Sequence, residues 1–107
     1  MNKYRAKKVS LDGHTFASKA EARRYAELRL LYKSGEISAP ALQIRYPLMV
    51  GDILIGRYVA DFVYRWRKNR NNYVVVEDVK GFRTQLYKWK KKHFEAQYGI
   101  KITEVRA

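Results

Sequence analysis

The stretch from Tyr73 to Lys80 constrains this chain more than any other. Val74, Val75 and Val76 stand in succession, with Val79 close behind. β-branched side chains lose rotamer freedom in a helix and pack well on a pleated surface. An unbroken run of them leaves no polar face, so this strand is expected to be covered on both sides. The covering layers must come from the rest of the chain, and 107 residues suffice for one domain around one core.

Helical layers are legible before and after that strand. Ser18 is a good N-cap, and Glu21 three residues later completes a capping-box pattern. Gly35 stands where a left-handed C-terminal cap belongs. Between them Tyr25, Leu28 and Tyr32 recur at helical spacing. A second helix is expected from about Thr84 to just before Gly99. Leu86, Trp89, His93 and Gln97 share one of its stripes, with Lys90 and Phe94 beside it and Lys88, Lys91 and Lys92 opposite.

Two further strands precede the valine run. Leu42, Ile44, Tyr46, Leu48 and Val50 alternate with Gln43, Arg45, Pro47 and Met49. Pro47 lacks an amide donor, which places this strand at an edge or gives it a bulge. Gly51 and Asp52 turn the chain into a second strand, Ile53 to Trp66, with a break expected at Gly56. A polar turn follows, and Ile100 to Val105 forms a last short strand. Asp12-Gly13, flanked by Val9, Leu11 and Phe16, marks a short hairpin or loop ahead of the first helix. The expected order is helix, strand, strand, strand, helix, strand, an α/β fold with a mixed sheet flanked by helices.

Charge narrows the partners. Twenty-three Lys and Arg against ten Asp and Glu give +13, a balance suited to a polyanion because each neutralised phosphate releases counterions. The cations cluster as Lys3, Arg5, Lys7 and Lys8; as Arg65, Arg67, Lys68 and Arg70 around Trp66; and as Arg83, Lys88, Lys90, Lys91 and Lys92. No helix-turn-helix, zinc finger or aromatic RNA-binding motif accompanies them, so phosphate-backbone contacts are expected rather than base readout. The absence of cysteine excludes disulfide scaffolds, thiolate zinc sites and cysteine nucleophiles. No apolar run approaches the ~18 residues of a membrane span, and no apolar segment follows the basic N-terminus. Neither a membrane partner nor a signal peptide is expected, and a cytoplasmic setting is the default.

The chemistry concentrates in two strands. Asp61 lies among Tyr58, Val59, Ala60 and Phe62, and Asp78 lies at the end of the valine run. A carboxylate buried in a strand is costly unless it is paired or holds a metal. Strand periodicity sets Asp78 and Lys80 on one face and Glu77 on the other. Two carboxylates and an amine suit phosphodiester hydrolysis. Hard oxygens hold Mg²⁺ or Mn²⁺, and the lysine positions a water or offsets charge developing on the phosphate. Plainer readings stand beside this one. Asp61, Asp78 and Lys80 make a structural ion network, or Glu21 is only a cap. Glu77 is a solvated or salt-bridged strand residue, and Gln43, opposite Leu42 and Ile44, either supports the site from behind or belongs to an ordinary polar strand face. His14 and His93 lack ligand partners and are read as non-catalytic.

Asp61, followed by Asp78-Val79-Lys80, resembles the D…(D/E)-X-K signature of the PD-(D/E)XK nucleases. The expected element order resembles their restriction-endonuclease-like core. Glu21 resembles the helix-borne acid of Holliday-junction resolvases and of the phage endonuclease I type. Phe16 to Arg23, Tyr58 to Phe62 and Glu77 to Gly81 also resemble a family of small phage and prophage proteins within that superfamily. Ala60 departs from the formal signature, standing where it has proline. The resemblance implies one nuclease-like domain over residues 1–107. It further implies Asp61, Asp78 and Glu21 as ligands of Mg²⁺ or Mn²⁺, Lys80 as the catalytic lysine, and DNA, branched or junctional, as substrate. A homodimer follows, since a chain this small holds one site and a duplex has two strands. The rival expectation is a non-catalytic DNA- or RNA-binding protein that keeps the fold.

Overall fold

The computed structural model describes residues 8–67 and 72–107. A hairpin opens it. β1 (Val9–Leu11) and β2 (His14–Phe16) pair antiparallel. Asp12 and Gly13 take φ values of 51° and 77° between them, as a two-residue turn matching strand twist requires. Helix α1 (Lys19–Lys33) follows, capped by the Ser18 hydroxyl, which accepts from the Glu21 amide at 3.2 Å. It ends as expected at Gly35, φ 84°. The Gly35 and Glu36 amides donate to Tyr32 and Leu31 carbonyls, which satisfies the last turn in a Schellman arrangement. Its buried stripe is Ala22, Tyr25 and Leu28. Tyr32, expected on that stripe, is 39% exposed and lies under the Arg29 guanidinium instead.

The main sheet has the order β3-β4-β5-β6. β3 (Ala41–Val50), β4 (Ile53–Trp66) and β5 (Tyr73–Lys80) pair antiparallel in sequence, and β6 (Ile102–Arg106) joins β5 in parallel. The sheet is therefore mixed, and β6 begins two residues later than the sequence suggests. Pro47 is accommodated in both expected ways. β3 is an edge strand, and its register shifts between Leu48 and Met49. That bulge lies beside Gly56, which stays in the ladder opposite Leu48, so β4 is not broken there.

Helix α2 (Gln85–Tyr98) runs from the Thr84 cap to Gly99, φ 70°. Its buried face is Tyr87 and Phe94, while Leu86 and Trp89 are exposed. The stripe read from sequence is thus rotated away from the core, and its lower half does other work. His93 meets the Met49 carbonyl at 2.9 Å, Gln97 bonds the Met49 amide and the Pro47 carbonyl, and Tyr98 donates to the same Pro47 carbonyl. These side chains occupy the outward backbone groups of an edge strand that has no strand neighbour there.

Two cores separate across the sheet. Phe16, Tyr25, Leu28, Ile37, Phe62, Tyr64, Val75 and Val79 pack on the α1 side. Leu48, Tyr58, Ala60, Val76, Tyr87, Phe94 and Ile102 pack on the α2 side. β5 alternates regularly between them and is covered on both faces, as its valines require. β4 does not alternate regularly. Phe62 and Ala60, two apart, belong to opposite cores, so the strand turns over at Asp61. Leu42 and Tyr46 on β3 divide in the same way around Gln43. Among the described residues no helix is long and apolar enough to cross a membrane.

Candidate active site

The site forms where β4 leaves β5. Their pairing runs from Trp66 opposite Tyr73 to Phe62 opposite Glu77. One further step would set Asp61 against Asp78, but there β4 turns over. The Asp61 carboxylate enters the gap, and its Oδ2 accepts the Val79 amide at 2.8 Å. Gln43 Nε2 donates to the other oxygen, Oδ1, at 3.3 Å.

Asp78 is 2% exposed on the α2 side of β5. The Tyr58 hydroxyl donates to its Oδ2 at 2.8 Å, and Lys80 Nζ lies 3.4 Å from its Oδ1. Burial, and then the Asp61 carboxylate within hydrogen-bonding reach, raise the Asp78 pKa to about 7; Tyr58 and Lys80 pull the other way. Lys80 is itself held. Its ammonium sits 4.2 Å above the Tyr87 ring, and the Tyr87 hydroxyl donates to Glu104 on β6 at 2.7 Å.

Glu21 reaches the same place from α1. Its carboxyl is raised by burial and then by Asp61, and lowered by a hydrogen bond from the Ala17 amide and by Lys80. Of the capping box, the Ser18 hydroxyl bond to the Glu21 amide forms. A cavity of about 370 Å³ holds Lys8, Thr15, Glu21, Gln43 and Asp61. A second of about 240 Å³ holds Tyr58, Asp78, Lys80, Tyr87 and Lys90. The strand inversion lets Asp61 face the first while its carboxylate remains within reach of Asp78.

Among the described residues no group of three or more His, Asp or Glu side chains makes a ready ion cage. Two facing carboxylates with an acid beyond them nevertheless fit a hard cation that keeps most of its water, which is how Mg²⁺ is usually held. The cations nearby leave the acids facing each other, since Lys80 pairs with Asp78 while Lys8 and Lys90 line the two cavities.

The expected phosphate contacts divide. Arg83, Lys88, Lys91 and Lys92 line a groove of about 380 Å³ with Glu95. Arg83 is tied to Glu104 at 3.2 Å and Lys91 to Glu95 at 3.5 Å, and Arg83, Lys88 and Lys92 are exposed on that face. Lys90 turns to the other side and lines the Asp78 cavity. Arg65 and Arg67 are exposed at the far end of β4, about 13–20 Å along the strand from Asp61 at ~3.3 Å per residue. Lys68 and Arg70, like Lys3, Arg5 and Lys7, lie outside the described residues.

Of the two expectations for Glu77, the salt bridge is the one that holds. The carboxylate is not solvated, with no exposed surface at all. Arg24 Nε and Nη2 donate to its two oxygens at 2.6 and 3.0 Å, and the Tyr64 hydroxyl donates at 2.6 Å. Sequence reasoning missed Tyr58 and Tyr87. Both are apolar-looking members of ordinary patterns, and only the packing of α2 on the sheet turns their hydroxyls and rings onto charged groups.

No curated protein and no solved structure matches this chain. Its match is to a family profile that covers residues 1–106, nearly the whole length, and the chain belongs to that family, described as "Protein of unknown function (DUF1064)".

Proposed function

We propose that this protein is a metal-dependent endonuclease that hydrolyses phosphodiester bonds of DNA in the cytoplasm. One observation carries the reading. Asp61 and Asp78 meet across the gap between β4 and β5, with Lys80 3.4 Å from Asp78. A structural ion network is expected to balance its charges. Here two carboxylates face each other in a buried place instead, and a bound cation would relieve their repulsion.

Asp61 and Asp78 are the residues to hold Mg²⁺ or Mn²⁺, with Glu21 as the third acid. When bound, such an ion polarises a phosphate and acidifies a water. The protein's own part is positional. Tyr58 and the Val79 amide each take one carboxylate oxygen and direct the other toward the cavities. Lys80, held over the Tyr87 ring beside Asp78, supplies a fixed positive charge where the phosphate gains negative charge. Lys88, Lys90 and Lys92 furnish phosphate contacts near the site, and Arg65 and Arg67 furnish more distant ones. Resemblance to junction resolvases favours branched DNA, and a single acid pair per chain favours a homodimer for cutting both strands.

The test is incubation of purified protein with supercoiled, linear and four-way-junction DNA, with EDTA, Mg²⁺ or Mn²⁺. Cleavage restricted to the metal-containing reactions supports the reading. Salt-sensitive DNA or RNA binding without cleavage under any divalent ion would replace it with a non-catalytic binding protein.

A further inference from the structure

Gln43 is at odds with its place in the fold. It lies within β3, between the pairs Leu42 with Phe62 and Ile44 with Ala60, directly across from Asp61. Its φ is +52°, in the left-handed region where a Cβ crowds the following carbonyl. Among the described residues, the only other non-glycine with positive φ is Asp12, which sits in a hairpin turn where that conformation is ordinary. In mid-strand it persists only if the surroundings enforce it, and such strain gathers at functional positions.

The consequence is geometric. β3 and β4 both change sides at this rung: Leu42 and Phe62 pack on the α1 side, Tyr46 and Ala60 on the α2 side. β5 does not change sides. β4 can therefore leave β5 at Asp61 without losing β3. The Gln43 side chain completes the arrangement by donating to Asp61 Oδ1 within the cavity that also holds Glu21.

We propose that Gln43 is the positioning residue for Asp61: its left-handed backbone turns β3 over together with β4, and its carboxamide aims Oδ1 at the cavity facing Glu21. This rests on Asp61 being a ligand of a divalent cation. Strain and function are then separable by substitution. Glycine accepts this φ freely and asparagine accepts it better than glutamine, while neither can reach Asp61.

The experiment compares wild type, Gln43→Gly and Gln43→Asn by thermal melting in EDTA, calorimetric titration with Mn²⁺ alone, and DNA cleavage. Both variants should melt at or a few degrees above wild type. Both should bind Mn²⁺ about 10–100-fold more weakly, as for loss of a partner that orients a metal ligand, with cleavage falling in step. A merely structural Gln43 gives the opposite pattern, with lower melting temperatures and unchanged Mn²⁺ affinity, and that result overturns the proposal. If wild type binds Mn²⁺ but cuts no DNA, the nuclease reading falls while the Mn²⁺ affinities still decide the role of Gln43. If wild type binds no Mn²⁺, both fall.

Discussion

Glu77 and Asp78 are neighbours on β5 with opposite fates. Glu77 faces α1 and is fully buried, yet Arg24 and Tyr64 saturate it. Asp78 faces α2, nearly as buried; that burial, and then the Asp61 carboxylate beside it, hold its proton to about pH 7. One residue of chain separates a neutralised charge from a frustrated one. The difference teaches how to tell a structural acid from a functional one: both are buried, but Glu77 is fully compensated by a bidentate guanidinium while Asp78 shares its lysine with a second carboxylate.

The comparison breaks hardest on the Glu77 side. Arg24→Met should leave Glu77 buried without its counter-charge and cost about 3–5 kcal/mol, as removal of one partner from a buried pair does. Urea unfolding measures it, and a loss below about 1 kcal/mol would mean Glu77 is not the charged anchor described. Because α1 also carries Glu21, metal-dependent cleavage should fall with the fold rather than ahead of it.

On the Asp78 side, Lys80→Ala should lower cleavage by about 10²-fold or more if the ammonium offsets charge developing in the transition state. Melting temperature and Mn²⁺ affinity should change little, since Lys80 is part-exposed and its pairing with Asp78 is long, at 3.4 Å. Wild-type cleavage by Lys80→Ala would remove the lysine from the mechanism.

The pH dependence sharpens the contrast further. Asp78 holds its proton to about pH 7 in the folded chain, whereas an unfolded aspartate releases it near ~3.9. Between those values the folded state binds more protons, so its stability falls as pH rises. The contribution is complete below about pH 4 and gone above about pH 7. In EDTA, wild type should gain melting temperature between pH 7.5 and 5 relative to Asp78→Asn, whose amide does not titrate. Parallel pH profiles for the two proteins would show that burial and Asp61 do not hold the Asp78 proton.

The smallest effect concerns the outer face of α2. Neutralising Lys88 and Lys92 together should reduce the slope of log affinity against log salt by roughly 2, near ~0.9 for each phosphate no longer neutralised. Lys91, tied to Glu95, should matter less when changed alone. An unaltered slope would move the DNA path to the Lys90 side.

The sequence by itself determined the elements and the catalytic candidates. Ser18, Thr84, Gly35 and Gly99 bound the helices through local capping, and the valine run demanded two covering layers. Those are short-range effects, set by backbone sterics and hydrogen bonds within a few residues. Asp61, Asp78 and Lys80 were legible because a charge inside an apolar strand is anomalous on its face. What tertiary structure alone decided is which side chains meet. The helical stripes of α1 and α2 were misjudged at Tyr32, Leu86 and Trp89, since several faces of a mixed helix are apolar enough and packing chooses one. The partner of Glu77 lies 53 residues away in sequence, and nothing local to Glu77 or Arg24 announces it. The turnover at Gln43 and Asp61 was equally invisible, because it breaks the two-residue alternation from which strand faces are read. It exists because each of the two strands packs into one core before that rung and into the other core after it.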